Sequence, residues 1–238
     1  MKLFRITFFF ILFSISAFAK DSTSVDFKRF ALGIHVSPDY CYRTLKVISP
    51  NDVTLSISNV RNKNEIPTLG YTAGANLSYF IKKQFAISLG VNYSRKGYIN
   101  ESVYLTDQNG NIIGNGYFKY NYNYIELPLK ANFIFGKKKV RFLVGIAATS
   151  SFLLYQQTNS TYEYNDGTKV ISKGKPNYIY NPFNLFLTGS LGADIQLGEK
   201  MGLKIEPAYS YGLFQTINAP ITEYLWNAGL NIGCYIGF

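Results

Sequence analysis

From about residue 28 to the end of the chain, apolar residues alternate with small or polar ones at a period of two, the mark of β-strands with two unlike faces. In "FAISLGVNY" (85–93), Phe85, Ile87, Leu89, Val91 and Tyr93 stand against Ala86, Ser88, Gly90 and Asn92. In "LGYTAGANLSY" (69–79), Leu69, Tyr71, Ala73, Ala75, Leu77 and Tyr79 stand against Gly70, Thr72, Gly74, Asn76 and Ser78. Read throughout, the pattern predicts eight strands, at roughly 28–43, 66–81, 84–98, 117–135, 140–156, 181–197, 202–215 and 223–238.

Soluble sandwiches and lipid-embedded barrels both alternate, so the content of each face decides between them. Here the polar face is rich in Gly, Ser, Thr and Asn, residues that suit a narrow lumen. The apolar face ends in aromatics: Tyr71, Tyr79, Phe85, Tyr93, Phe133, Phe135, Tyr209, Tyr211, Tyr224 and Trp226. Aromatic girdles at both rims of an apolar band belong to a transmembrane barrel. The connections agree. "IKKQ", "GKKK" and "GEKM" are tight, and long segments at 44–65, 99–116 and 157–180 alternate with them, with a shorter one at 216–222. The expected fold is therefore all-β: an eight-stranded antiparallel up-and-down transmembrane β-barrel. Within the long segments, "DQNGN" (107–111) and "YNDGT" (164–168) carry hairpin turn chemistry, so the strands are expected to continue past the membrane.

The chain closes on "LNIGCYIGF", with Leu230, Ile232, Cys234, Ile236 and Phe238 in phase. A last strand that closes on the first needs no polar tail. Leu230, Ile232, Ile236 and Phe238 fit the alternating signal, ending on an aromatic, that outer-membrane assembly machinery reads. At the other end, "MKLFRITFFFILFSISAFAK" has a charged start, a short apolar core and Ala17-Phe18-Ala19, the pattern of a secretory signal peptide. The expected organisation is a signal peptide at 1–19, a short periplasmic segment at 20–27 and a barrel domain at 28–238. Both termini of the mature chain would then be periplasmic.

Composition changes this picture little. Tyr 20 and Phe 19 suit strands and membrane boundaries. The formal charge of +10 becomes +8 without Lys2 and Arg5, and its scattered cations read as solvated turns rather than as a nucleic-acid surface. After residue 20 no apolar stretch reaches the ~18 residues a membrane helix needs. Two cysteines, Cys41 and Cys234, make no disulfide framework.

Three stretches carry a resemblance. "GYTAGANLSYFIKKQFAISLGVNYSRKGY" (70–98), "YIELPLKANFIF" (124–135) and "GLKIEPAYSYGL" (202–213) resemble the PorT-like outer-membrane β-barrel family of Gram-negative bacteria. The resemblance implies a small eight-stranded barrel, of the OmpA or OmpX kind, and for some members a link to type IX secretion. Its motifs are architectural and name no task.

The strand phase turns Asp194, Lys204, Glu206, Arg141, Glu126, Lys130, Lys96, His35 and Asp39 into the lumen. Both signs occur in similar numbers, and buried charge is tolerated only when paired. The expected result is a salt-bridged plug, with a proton or ion path as the sharper alternative. Centring the turn on 197–203 pairs Gln196 with Lys204 and leaves Asp194 diagonal to it. Catalysis needs a nucleophile, a base and an orienting group, and His35 is the only histidine. No enzyme activity, metal or cofactor is expected. The segment 157–180 offers Tyr162, Tyr164, Tyr178 and Tyr180 with Lys169, Lys173 and Lys175, a surface suited to proteins or anionic glycans. Expected partners are outer-membrane lipid, the barrel-assembly machinery and other secretion or surface proteins, and not nucleic acid. The expected role is structural or interactive, with a small-solute pore, or a barrel enzyme, as the alternative.

Overall fold

A computed structural model describes residues 29–174 and 180–238. The expected signal peptide and the segment 20–27 lie outside them, as does Tyr178. The elements are β1 (Phe30–Val47), α1 (Asp52–Asn64), β2 (Glu65–Lys82), β3 (Phe85–Thr106), β4 (Ile112–Phe135), β5 (Val140–Tyr164), β6 (Lys169–Gly174), β7 (Phe183–Gln196), β8 (Met201–Gly212) and β9 (Ile221–Gly237). Neighbours pair antiparallel in the ring β1-β2-β3-β4-β5-β7-β8-β9, and β9 closes on β1. This is the eight-stranded up-and-down barrel that the alternation predicts. The ninth strand, β6, pairs only with the far end of β5, from Thr158↔Gly174 to Glu163↔Lys169.

Short turns gather at one end, the turn end, and long connections at the other, the loop end. At the turn end Gly136 takes φ +112, a left-handed conformation open to glycine at little cost. At the loop end β3 and β4 run on as a ribbon, and so do β5 and β6, as the Asn-Gly and Asp-Gly signals predict. Gly110 (φ +84) and Gly167 (φ +85) turn the two tips.

Two expectations need correction. The segment 44–65 is not simply a loop, because it contains α1. Asn51 caps it: Thr54 N–H donates to Asn51 Oδ1 at 2.8 Å, and Asn51 N–H donates to Thr54 Oγ1 at 2.9 Å, a reciprocal capping box. The β7–β8 turn is also tighter than a turn centred on 197–203. Leu197 and Gly198 N–H both donate to Met201 O, so Asp194 sits directly opposite Lys204, and Gln196 opposite Gly202.

The outward face is apolar and exposed, with Leu32, Ile34, Val36, Leu77, Leu89, Leu129, Ile146, Leu191 and Ile232 among its residues. Aromatic pairs edge it at both ends. At the turn end lie Phe30–Tyr79 (5.1 Å), Phe85–Phe133 (4.8 Å) and Phe30–Phe238 (6.0 Å). At the loop end lie Tyr71–Tyr93 (6.0 Å), Tyr209–Trp226 (5.8 Å) and Tyr211–Tyr224 (6.4 Å). Along β1, Phe30 and Tyr40 mark the two bands, about 33 Å of strand apart. At a tilt near 40° that is roughly 25 Å of height, the apolar band a barrel presents to lipid. Among the described residues, no helix is long and apolar enough to cross a membrane.

Candidate functional site: the lumen and its mouth

Inward positions of the strands stack in layers. At the turn end Ala31, Phe80, Ala86, Ile134 and Leu143 form a buried apolar cluster, with Tyr235 packed against it. Sequence alternation alone does not reveal this layer. Phe80 lies inside "YFI" and Ile134 inside "FIF", where both strand faces are apolar and the phase carries no contrast.

Above it comes the charge layer expected from the sequence. Asp194 is fully buried and accepts from Arg141 Nη2 at 3.0 Å and from the Tyr235 hydroxyl at 2.7 Å. Lys130 pairs with Glu206, which also accepts from Ser190 Oγ at 3.1 Å. Lys96 Nζ donates to Glu126 Oε1 at 2.7 Å, and the Ser94 and Ser151 hydroxyls donate to the same oxygen. Asp39 accepts from Ser37 at 2.7 Å and Thr72 at 2.6 Å. His35 Nδ1 meets Asn76 Nδ2 at 3.4 Å. Lys204 departs from expectation, because its ammonium lies 5.1 Å over the Tyr235 ring and makes no ion pair among the described residues. Counting Arg141, Lys96, Lys130 and Lys204 against Asp194, Glu126, Glu206 and Asp39, the layer is charge-balanced. It surrounds a cavity of about 140 Å³ lined by His35, Lys130, Lys204, Glu206 and polar neighbours.

An aromatic layer follows toward the loop end, made of Tyr98, Tyr122, Tyr124, Phe186 and Leu225. Lys96 Nζ sits 4.8 Å over the Phe186 ring, so the aromatic layer also holds the charge beneath it.

The mouth carries a second ionic network that the sequence reading missed. Arg43 Nε donates to Glu65 Oε2 at 2.6 Å, with 1% and 3% of the two side chains exposed. Arg61 of α1 reaches Glu65 at 2.6 Å and Glu223 at 2.9 Å. Glu223 also accepts from Tyr98 (3.0 Å) and Tyr122 (3.2 Å). Arg43 ties down the helix end through Asn62 Oδ1 (2.6 Å) and Arg61 O (3.0 Å). Burial alone would lower the Arg61 pKa, but the Glu65 hydrogen bond and the surrounding negative groups raise it overall. No local motif announces this network, since its members come from β1, α1, β2, β3, β4 and β9. Its only sequence signal is the (i, i+4) pair Arg61–Glu65.

The tyrosines of the segment 157–180 divide. Tyr164 is exposed. Tyr162 packs edge-on against Phe118 at 5.7 Å. Tyr180 turns into the mouth against Tyr122 at 5.5 Å, which corrects its expected place on the outer surface. The cysteines stand apart, as expected. Cys234 lies opposite Ile34, seven positions along β1 from Cys41, or roughly 23 Å. That exceeds the ~7 Å limit for a bridge, and both thiols are free. Among the described residues no group of three His, Cys, Asp or Glu side chains could hold a metal ion.

A family model agrees with the barrel fold. The model of the family described as outer membrane protein beta-barrel domain matches residues 18–218. Among solved structures, the chain is similar to Neisserial surface protein A at 13% identity, covering 88% of this chain and 97% of that one, with a TM-score of 0.46. It is similar to OprG of Pseudomonas aeruginosa at 12% identity, covering 92% and 100%, with a TM-score of 0.42. It is similar to the outer membrane protease OmpT of Escherichia coli at 9% identity, covering 92% and 99%, with a TM-score of 0.40. At such identities the likeness concerns the fold alone. No curated protein matches the chain.

Proposed function

Given that this chain belongs to the outer membrane protein beta-barrel domain family, we propose that it is a closed barrel, an anchor for its loop-end surface rather than a channel. In this reading the short turns face the periplasm and the long connections face outward, the usual polarity of such barrels. The observation that carries it is a series of side-chain layers along the lumen. Apolar side chains fill the turn end, paired charges cross the middle, rings fill the next layer, and α1 is clamped into the mouth. A barrel of eight strands is narrow enough for side chains to do this.

What remains for partners is the loop end. The β3–β4 ribbon and the β5–β6 ribbon extend there, and α1 exposes Val53, Leu55, Ile57 and Val60. A secretion-linked role, implied by the PorT-like resemblance, would use this surface or the periplasmic rim. Co-purification from detergent-solubilised membranes tests that finer role, and recovery of assembly factors alone would remove it. The main reading is tested in planar lipid bilayers. The refolded barrel is expected to insert without stepwise conductance, and reproducible single-channel steps would overturn the closed-barrel reading in favour of a small-solute pore.

A further inference from the structure

On the outward face, the apolar band of β2 to β5 ends in a row set by strand register: Tyr71 opposite Arg95, Arg95 opposite Asn123, and Asn123 opposite Tyr155. The row is built rather than loose. Tyr93, one outward step below Arg95, donates to Asn123 Oδ1 at 2.9 Å and meets the Tyr155 hydroxyl at 3.4 Å. The Arg95 guanidinium lies 4.8 Å over the Tyr71 ring. Four residues before Asn123 on β4, toward the loop end and in the same outward phase, stands Lys119.

Between the two cations the outward positions are Gly97 and Asn121, which are register partners. Gly97 contributes no side chain, and a Cβ there would meet Tyr120 O at 1.9 Å. Asn121 is buried, with its Nδ2 turned to Lys119 O at 3.5 Å. Between Arg95 and Lys119 the outward face therefore carries no side chain larger than the buried Asn121. Among the described residues neither cation has an acidic partner. Glu65 is held in the mouth by Arg43 and Arg61, Glu126 faces the lumen on Lys96, and Glu163 pairs with Lys169. Among the described residues Glu101, higher on β3, makes no ion pair with either. The Nε of Arg95 is buried without a hydrogen-bond partner among the described residues. Lys119 is half-buried and feels the charge of Arg95. Two like charges within electrostatic reach of each other gain from a shared anion.

The geometry points to a site for the phosphate of an outer-leaflet glycolipid, taken between Arg95 and Lys119, and it rests on the outward orientation of the loop end proposed above. A guanidinium grips phosphate through parallel N–H donors, and an ammonium adds a point charge. The row of tyrosines sits at headgroup depth, where the acyl chains of the same lipid run down the apolar band. This continuity selects a lipid over a soluble anion.

The test compares retention of bis-phosphorylated lipid A and of its dephosphorylated form by the refolded barrel, read by native mass spectrometry. The phosphorylated lipid is expected to be held at least roughly tenfold more tightly, and the doubly substituted Arg95→Gln, Lys119→Gln barrel to lose that margin. Heat-modifiable migration should remain unchanged, because neither side chain holds the barrel closed. Equal retention of both lipids, or full retention by the double variant, would overturn the site. Displacement of lipid A by millimolar inorganic phosphate would overturn its lipid character. Orientation is read separately, by labelling a cysteine placed at Asn165 on intact cells with an impermeant maleimide. Absence of label would refute the orientation. Label together with indifferent lipid binding would refute the glycolipid site alone.

Discussion

The buried charges of the lumen are individually tuned, and their partners decide what each is worth. Lys96 is closed in by Glu126, Ser94 and Phe186. Lys96→Met leaves the Glu126 carboxylate buried with hydroxyl donors only, a loss on the order of 3–5 kcal/mol. Lys204 has a ring beneath it in place of a carboxylate, so Lys204→Met should cost about 1–2 kcal/mol, the scale of a desolvated cation–π contact. Urea titrations of both variants folded into lipid vesicles test the order, and equal losses would refute this division of labour. The inward phase of both lysines was legible from alternation, but their partners were not. A two-residue difference in the β7–β8 turn moves Asp194 from diagonal to directly opposite Lys204, and only the path of Leu197 to Lys200 decides it. At the ribbon tip, the Asn111 side chain and then its backbone hold Asp107 below the ordinary carboxyl range. A folded pKa lowered in this way contributes stability that is present above the unfolded value and lost as pH falls through the folded one. The Asn109 and Asn111 amide signals, whose N–H groups donate to Asp107 Oδ1, should therefore titrate with a midpoint below about 3.9. A midpoint at or above that value would refute the turn geometry.

Strands and helix differ in how plainly their sequences announce them. The strands were legible because lipid on one side and a polar lumen on the other impose unlike demands on alternate residues. The ribbon tips were legible because Asn109-Gly110 and Asp166-Gly167 suit the tight turns there. α1 was not legible. "DVTLSISNVRNKN" contains Val53, Thr54, Ile57 and Val60, β-branched residues of modest helix propensity, and its apolar side chains point to solvent. Its helical state comes from its ends, the Asn51 capping box and the Arg61 and Asn62 anchors at the mouth. Asn51→Ala should weaken the helix by about 1 kcal/mol. Hydrogen exchange at Thr54 and Leu55 should speed up while the urea midpoint of the barrel stays in place. A shifted barrel midpoint would mean that α1 is part of the global folding unit. The turn-end cluster escaped the sequence reading for the opposite reason, since an apolar run such as Tyr79-Phe80-Ile81 gives no contrast between faces.

For the whole molecule the barrel is closed around the ring, and the proposed function closes it along the lumen as well. Around the ring, β9 seals on β1, and at the seam Phe238 exchanges backbone hydrogen bonds with Phe30 and stacks on its ring. Phe238→Ala removes that stack and the terminal ring of the in-phase strand, so vesicle insertion should slow while export continues. Unchanged growth of the heat-modifiable folded band would count against this. Along the lumen the barriers stand in series, and a series path conducts only when every barrier is open. Replacing 50–64 with a short Gly-Ser loop removes α1 and Arg61 but leaves Tyr98, Tyr122, Tyr124 and Phe186 across the bore. Leu143→Ala thins the turn-end cluster but leaves Phe80 and Ile134 in it, together with the Lys130–Glu206 and Lys96–Glu126 pairs above. Leu143→Ala should cost about 2–5 kcal/mol in stability, so its folded state must be verified by heat-modifiable migration before conductance is read. Each change alone should leave the barrel electrically silent in a planar bilayer. Channel steps from the loop replacement alone would make α1 the single gate of an otherwise open pore, and steps from Leu143→Ala alone would put the barrier at the turn end. Either outcome would overturn closure in series.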